Sequence, residues 1–250
     1  MAEVPLIQTG PFIRSLSPDR IKSNLYFAVI VLRDLCDSVV KNYIFKLWKG
    51  RTMEIIQFLE KLSSATPTPG GGSASALAGA LSASLVAMVA GFSPKQKRIA
   101  DIRRRSLVIQ KRLYRAIKED AESYEAVLKA FGLPKRTENE RLIRTKAIQK
   151  AYQKATVTPQ LVSEQSVKLL EYSNFLILKG NPNAISDAGV AAFLANTALK
   201  GGLLNIGINL GPVRDKSFRK KMHALVGKLE KRGNQLMGRI QKTLRRALTI

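Results

Sequence analysis

One carboxylate stands out as a residue that could carry chemistry. Asp120 lies in a long segment with helical periodicity. At about 100° per residue it falls about 340° around the helical wheel from Leu113, inside the apolar stripe. A carboxylate on a face that packs into a core loses its hydration, so it requires a partner or a function. Two interpretations stay open: a buried ion pair with one of the many Lys or Arg residues, or an acid/base or cation-stabilising group in an internal cleft.

A turn rich in proline and glycine is the second feature. Residues 66–73 read TPTPGGGS, and the helix predicted after them would present N–H groups that lack intrahelical partners. Such a turn can hold a carboxylate, a phosphate or a polar ring, or it can be a plain loop before a helix. No Lys-Ser or Lys-Thr pair follows the glycines, so the turn is not a Walker motif.

A third polar segment, residues 183–189, precedes an Ala-rich stretch. On spacing alone, Ser186 or Asp187 reads as an N-cap or a first-turn acid of the helix that follows. His223 lies in a basic amphipathic helix without a neighbouring Cys or His, and Cys36 lies in an N-terminal segment of different character. We assign neither of these two residues a role.

The composition limits the chemistry that is available. The 250 residues include one His and one Cys, which excludes an internal disulfide framework and Cys-cluster or multi-His metal sites, and disfavours a Ser/His/Asp triad. Catalysis would therefore depend on carboxylates, Lys or Arg, Tyr, Ser or Thr, or backbone dipoles. The hydrophobic fraction of 45% is that of a globular protein and not of a disordered basic tail.

The net charge of +24, from 42 Lys+Arg against 18 Asp+Glu, is compatible with nucleic acid, a membrane surface or anionic substrates. Residues 1–52 hold 8 basic and 4 acidic residues, so +20 of the charge lies from Met53 onward. Much of it is expected on outer helix faces, away from the stripe that contains Asp120.

The elements that must position these residues are predicted to be helices. Residues 62–94 contain no charged side chain, and residues 70–91 are mostly Ala, Ser and Gly. This composition favours a helix packed inside the protein over a lipid-facing span. The next helix, residues 95–131, is amphipathic and is stopped by Gly132 and Pro134. Its apolar face is predicted to contain Ile99, Ile102, Ile109, Leu113, Ile117, Tyr124, Val127, Leu128 and Phe131.

The second half of the chain also reads as helical. Thr137 and Glu140 are spaced as a capping box that opens a helix, and Pro159 is expected to bend or interrupt that helix. A turn at residues 180–183 precedes an Ala-rich helix over residues 188–199, which Gly201-Gly202 is expected to break, leaving residues 203–210 as a separate apolar segment.

The last helix is predicted from about residue 215 to residue 248, with an apolar stripe of Phe218, Met222, Leu225, Leu229, Leu236, Ile240 and Leu244. No alternating strand pattern follows Met53. The fold class is therefore predicted to be all-α, a single-domain bundle of long antiparallel helices. Its Ala- and Gly-rich faces favour oligomerisation.

Residues 1–52 differ from the rest. Their short apolar run, residues 25–32, is too short and too late for a secretory signal and too short for a membrane span. Met53 follows Lys-Gly-Arg-Thr, which a purine-rich string resembling a ribosome-binding site could encode. We therefore predict that residues 1–52 are a misassigned upstream extension, that the true start is Met53, and that residues 53–250 form the helical domain. The alternative is a real but variable N-terminal segment.

Taken in order, these blocks resemble the cyclodeaminase/cyclohydrolase family of folate enzymes. The blocks are residues 66–73 with the Ala-rich helix after them, residues 120–124 followed by AFGLPK at 130–135, and residues 180–192 together with residues 205–210. This family includes the C-terminal domain of formiminotransferase-cyclodeaminase and stand-alone methenyltetrahydrofolate cyclohydrolases. The resemblance covers the chain from Met53 onward.

The resemblance implies an all-helical, dimeric enzyme that needs no metal and no tightly bound cofactor. Its substrate would be a tetrahydrofolate one-carbon derivative or its polyglutamylated form, whose anionic tail would explain part of the positive charge. The reaction would be either cyclodeamination with release of ammonia or hydrolysis of the methenyl compound, and we expect a cytoplasmic location. The resemblance places the catalytic carboxylate at Asp120, in agreement with the helical wheel. It implies substrate-binding roles for Pro69, Gly70, Gly71, Gly72, Ser73, Asn183 and Asp187.

Two other interpretations stay open. A basic helical nucleic-acid-binding protein would explain the charge directly. No helix-turn-helix, zinc or single-strand-binding pattern is visible, however, and aromatic residues are only 6% of the chain. A catalytically inactive family member that serves as an assembly subunit is the other, and the presence of Asp120 argues against it. We expect no membrane partner.

Overall fold

The computed structural model describes residues 55–248. Over that range the chain forms seven α-helices and one short 3₁₀ turn, without a strand. Their bounds are α1 Ile55–Ser63, α2 Gly71–Phe92, α3 Lys97–Phe131, α4 Glu138–Ala155, α5 Val157–Lys179, the 3₁₀ turn Pro182–Ala184, α6 Ile185–Leu210 and α7 Lys216–Leu248. The all-α prediction is confirmed. The predictions for residues 1–52 and for a start at Met53 lie outside the described residues.

The charge-free helix α2 is the centre of the bundle, packed against α3, α5 and α6. Its small residues allow this close packing, because a β-carbon at Gly79 would lie 2.8 Å from Leu113 Cδ1. The buried hydroxyl of Ser82 donates to the Ala191 carbonyl of α6 at 2.7 Å. By length and composition Gly71–Gly91 could cross a membrane, but more than half of it is buried inside the protein, as a core helix should be.

Helix α3 carries the predicted apolar stripe along most of its length. Six of its seven aliphatic members are buried: Ile99, Ile102, Ile109, Leu113, Ile117 and Val127. The prediction is wrong for Tyr124, Leu128 and Phe131, which are 42–46% exposed. The physical reason is the position at which α2 begins. Its first turn lies beside Asp120, so the last turns of α3 extend beyond α2 and are not covered by that helix. There α3 meets α4 instead, and Phe131 packs edge-on against Tyr152 at a centroid distance of 6.1 Å.

The capping box and the proline interruption are both confirmed. Thr137 Oγ1 accepts from the Glu140 N–H at 3.2 Å, and Glu140 Oε2 accepts from the Thr137 N–H at 3.0 Å, at the start of α4. Helix α4 ends at Ala155, and Pro159 lies in the first turn of α5. Proline has no N–H to donate four residues back, so the Ala155 carbonyl lacks that helical partner.

The predicted break at Gly201-Gly202 is wrong, because α6 is one continuous helix that contains both glycines. A β-carbon at Gly201 would overlap Ser75 of α2, and one at Gly202 would lie 3.0 Å from the Pro159 carbonyl oxygen of α5. The glycines therefore serve helix packing. Burial against two neighbouring helices outweighs their propensity cost of about 1 kcal/mol each.

Helix α7 closes the bundle and agrees with its predicted bounds. The Asp215 side chain accepts from the Phe218 N–H at 2.9 Å just before the helix begins. Of its predicted stripe, Met222, Leu229, Leu236, Ile240 and Leu244 are buried, whereas Phe218 and Leu225 are partly buried. The described residues from Phe58 onward form one compact unit.

Candidate functional site

A cavity of about 340 Å³ lies where the N-terminus of α2 meets α3, the end of α4 and the end of α6. It contains the predicted carboxylate, most of the glycine turn, two tyrosines and two asparagines. The lining residues are Pro67, Thr68, Gly70, Gly71, Gly72, Asp120, Ser123, Tyr124, Tyr152, Ala155, Asn205, Ile208, Asn209 and Pro212.

Asp120 is half-buried in this cavity and is held by Ser73. The Ser73 hydroxyl lies 3.0 Å from both Asp120 Oδ2 and the Ile117 carbonyl oxygen, so its single proton serves one of the two at a time. The Ser73 backbone N–H also donates to the carboxylate. Both donors come from the first turn of α2, where N–H groups are free of intrahelical partners. The fold thus brings the end of the glycine turn into contact with Asp120.

Burial raises the pKa of Asp120 above its ordinary value, and the two Ser73 donors oppose this effect without overcoming it. None of the ion pairs among the described residues includes Asp120. The buried ion pair, one of the two interpretations left open by the sequence, is therefore wrong for this part of the chain. A half-buried carboxylate without a cationic partner and with a raised pKa is suited to exchanging protons or to stabilising a cation brought by a ligand.

The glycines of the turn allow α2 to approach Asp120. A β-carbon at Gly72 would lie 2.5 Å from Asp120 Cγ, well inside the contact distance of two carbon atoms. Any residue larger than glycine would therefore displace the carboxylate. At Gly71 a β-carbon would meet Asn205 Nδ2 at 3.9 Å, an ordinary contact. Gly70 precedes the helix, and its carbonyl accepts from the Ala74 N–H at 3.0 Å. The Gly71–Gly72 pair is therefore the floor between Asp120 on one side and Asn205 on the other.

Outside the glycine turn, five polar or aromatic residues of the cavity were not predicted from the sequence: Ser123, Tyr124, Tyr152, Asn205 and Asn209. Tyr124 was assigned to the core stripe, where it does not lie. Asn205 and Asn209 are one helical turn apart in an otherwise apolar stretch, LLNIGINL, and that spacing is the signal that could have identified them.

The remaining predicted site residues are placed differently. Pro69 lies between two lining residues and is not itself in the cavity wall. Asn183 is exposed in the 3₁₀ turn and Asp187 is in the first turn of α6. Asp187 and Asn205 are 18 residues apart on α6, about 27 Å at 1.5 Å per residue. Within one chain the fold does not bring Asn183 or Asp187 to Asp120, and their binding role stays a prediction.

The arrangement favours a planar, polar ligand. Two tyrosine rings can contact a flat ring system, the glycine floor admits it closely, and the carboxylate can balance positive charge on it. Among residues 55–248, no group of three or more His, Cys, Asp or Glu side chains is placed to hold a metal ion.

Comparison with known proteins agrees with this geometry. The family model described as Formiminotransferase-cyclodeaminase matches residues 54–228. The methenyltetrahydrofolate cyclohydrolase of Methylorubrum extorquens is 34% identical over 196 residues, which are 75% of this chain and 94% of that protein. The mouse formimidoyltransferase-cyclodeaminase is 30% identical over 179 residues, 69% of this chain but only 33% of that longer protein.

A solved structure supports the same relationship. The crystal structure of formiminotetrahydrofolate cyclodeaminase from Thermotoga maritima has a TM-score of 0.70 and 28% identity, covering 78% of this chain and 98% of that one. A family match over most of the chain, a relative of similar length and a shared fold agree with one another. The chain belongs to the formiminotransferase-cyclodeaminase family.

Proposed function

We propose that this chain is a folate one-carbon enzyme that forms or hydrolyses 5,10-methenyltetrahydrofolate. The observation that carries the proposal is Asp120, a half-buried carboxylate with a raised pKa, held by Ser73 and free of ion pairs among the described residues. Both reactions pass through a cationic N–C–N centre, which such a carboxylate can stabilise.

In the hydrolytic reaction, water adds to the methenyl carbon and the bond from that carbon to N5 then breaks, which leaves the 10-formyl compound. Asp120 would take a proton from the attacking water and deliver it to N5 as the ring opens, and the second proton of that water is released to solvent as the formyl C=O forms. The raised pKa assists this cycle, because it makes the carboxylate a stronger base for the water proton. The carboxylic acid that forms is then the proton donor to N5. General acid/base catalysis of this kind is worth about 10²–10⁴-fold in rate.

In the cyclodeaminase reaction, N10 of 5-formiminotetrahydrofolate attacks the formimino carbon and ammonia leaves. Asp120 would accept the N10 proton and pass it to the departing nitrogen, which takes its other proton from solvent and leaves as ammonia, while the carboxylate charge balances the methenyl cation. The relative of similar length favours hydrolysis, since it is a cyclohydrolase at 34% identity. The Thermotoga maritima structure, a cyclodeaminase covered over 98% of its length, favours cyclodeamination.

One assay separates the two reactions. The purified protein is incubated with 5,10-methenyltetrahydrofolate and, separately, with 5-formiminotetrahydrofolate, and the methenyl absorbance is followed. Its loss above the uncatalysed rate identifies a cyclohydrolase, and its appearance with release of ammonia identifies a cyclodeaminase. Asp120→Asn should abolish either activity while leaving the helical circular dichroism unchanged. Turnover of neither compound by wild type would contradict the proposal and favour the inactive assembly subunit.

We further propose that the enzyme is a homodimer joined through the outer face of α6 and the neighbouring side of α2. At about 100° per residue, four large apolar residues of α6 fall within about 60° of one another. They are Val190, Phe193, Leu204 and Ile208, 48–74% exposed. Leu81 and Met88 of α2 add 45% and 38% exposed side chains. In a chain of net charge +24, such a charge-poor apolar surface is typical of an interface.

Light scattering after size-exclusion chromatography tests the dimer. Leu204→Lys, at a position that is 74% exposed, should convert dimer to monomer, because it buries a charge in the proposed interface. Leu142→Lys is the matched control, since Leu142 is a 53% exposed leucine on α4, away from this face. Equal masses for both variants would contradict the proposed interface.

We propose that Arg214 contributes to binding the anionic glutamate tail of the substrate. The loop that contains it is fixed to α4 by Gln149, which donates to the Pro212 carbonyl at 2.9 Å and accepts from the Arg214 N–H at 2.7 Å. Pro212 lines the cavity, and Arg214 follows it two residues later in the same loop. Arg214→Gln should raise KM more for a polyglutamate than for a monoglutamate substrate, and most at low salt. Lys228→Gln on α7 serves as the control.

A further inference from the structure

Asn205 and Asn209 have amide groups whose orientation is settled by their hydrogen bonds. Asn205 Nδ2 donates to the Gly201 carbonyl at 2.8 Å, and Asn209 Nδ2 donates to the Ala155 carbonyl at 2.9 Å. A carbonyl oxygen only accepts, so in each case the NH₂ end of the amide must face it. The Oδ1 atom of each asparagine therefore points away from the backbone that holds its amide nitrogen.

The partner of Asn209 exists because of a proline. Pro159 cannot donate to the carbonyl four residues before it, which leaves the Ala155 carbonyl at the end of α4 without its helical partner. Asn209 satisfies that oxygen and is thereby locked in one rotamer. Asn205 is locked in the same way by the carbonyl one turn earlier in its own helix.

Both Oδ1 atoms are accessible acceptors on residues that line the cavity. No donor among the described residues reaches either oxygen, and neither is fully enclosed, as an unsatisfied buried oxygen would be. Both residues line the cavity that contains Asp120. Two asparagines in an apolar helix lower its intrinsic stability, and the neighbouring Leu203, Ile206 and Leu210 are buried. An acceptor that is held in place on the cavity wall is satisfied by a ligand that donates a hydrogen bond. These two asparagines therefore indicate a ligand with hydrogen-bond donors.

We propose that Asn205 and Asn209 determine specificity for the pterin ring, their Oδ1 atoms accepting hydrogen bonds from the two N–H bonds of its 2-amino group. The inference rests on the proposed function, because it names the part of the folate that Asn205 and Asn209 bind. The Gly71–Gly72 floor separates the two ends of the site, with Asn205 at one side and Asp120 at the other. The pterin edge would bind at the asparagines while the one-carbon unit lies against Asp120.

Ligand binding tests this assignment independently of turnover. Calorimetry would compare 5-formyltetrahydrofolate with its analogue that carries hydrogen in place of the 2-amino group, for wild type, Asn205→Ala and Asn209→Ala. Each neutral hydrogen bond contributes about two- to tenfold in affinity. The parent compound makes two bonds that the analogue lacks, so wild type should prefer the parent by about tenfold or more. The Asn→Ala variants should lose affinity for the parent but not for the analogue.

The outcomes are distinct. Asn234→Ala, an exposed asparagine of α7, is the matched control and should keep the wild-type preference. Equal binding of both compounds by wild type, or an equal loss for both compounds in the variants, would overturn the assignment while leaving the folate function intact. Failure of wild type to bind either compound would overturn the proposed function as well. If removal of the Ala155 partner unfolds Asn209→Ala, Asn205→Ala carries the test, because its amide bonds only within α6.

Discussion

The close approach of Gly72 to Asp120 leads to a prediction that probes the site without altering any polar group. Gly72→Ala would place a β-carbon 2.5 Å from Asp120 Cγ, whereas non-bonded carbons rest at about 3.5–4.0 Å. The carboxylate must therefore shift by about 1 Å or more. That shift would break its 3.0 Å hydrogen bond to the Ser73 hydroxyl, because Ser73 is held in the first turn of α2.

A displacement of about 1 Å in a reacting group can cost about 10²-fold in rate. We therefore expect kcat of Gly72→Ala to fall about 100-fold in the methenyltetrahydrofolate assay. Its stability in urea should change little, because alanine favours the helix by about 0.5–1 kcal/mol and offsets part of the lost contact. Since Gly72 also lines the cavity, kcat and KM must be measured separately: a displaced Asp120 lowers kcat, whereas a merely obstructed cavity raises KM.

Gly238→Ala on α7 is the matched control. It is also a glycine within a helix, and a β-carbon there would meet nothing within 4 Å. We expect wild-type activity and a small gain in stability from this variant. If Gly72→Ala retained kcat within about threefold while Asp120→Asn was inactive, the position of the carboxylate would not depend on the glycine, and the reasoning from close approach would be refuted.

Three further predictions concern stability and are measured by urea denaturation. Asp120→Asn should be more stable than wild type at pH 7. Burial raises the pKa of Asp120, so its contribution to stability is full below the unfolded pKa of about 3.9 and is lost as pH rises through the folded pKa. A gain that failed to shrink towards acid pH would contradict this. Gly202→Ala should cost about 1–3 kcal/mol, because its β-carbon would lie 3.0 Å from the Pro159 carbonyl oxygen, which cannot move freely. Gly207→Ala, in the same helix with nothing within 4 Å, should gain about 0.5–1 kcal/mol, and equal effects would refute the packing role of Gly202. Thr137→Ala removes one half of the capping box and should cost about 0.5–2 kcal/mol; no loss would show that the box contributes nothing.

The inward position of Asp120 could be predicted because periodicity indicates where a helical side chain points. A carboxylate on an apolar stripe is detectable from the sequence alone, and the structure places it in a cavity without an ion pair among the described residues. The same reasoning failed for Tyr124, because periodicity continues whether or not a neighbouring helix is present to cover the face. Where α2 starts relative to α3 decides which of these side chains is buried, and no local pattern contains that information.

The glycines of α6 show the same limit in another form. Helix propensity alone predicts a break at Gly201-Gly202. The helix nevertheless continues through both glycines, because α2 and α5 pack against those positions. The spacing of Asn205 and Asn209 in an apolar stretch distinguishes them in the sequence, but it does not show which groups their amides bind. The partner of Asn209 is a carbonyl 54 residues away, released by Pro159.

By itself, the sequence of this chain determined the all-helical class, most helix ends, the family resemblance and the position of Asp120 on the apolar stripe of α3. Each of these follows from local rules: hydrophobic periodicity, capping residues, proline and glycine chemistry, and the order of a few motifs. Only the tertiary structure decided that Ser73 holds Asp120, that two asparagines and two tyrosines complete the wall, and that Asn183 and Asp187 lie at the far end of α6. These depend on contacts between residues distant in sequence, where the relative placement of whole helices sets every distance.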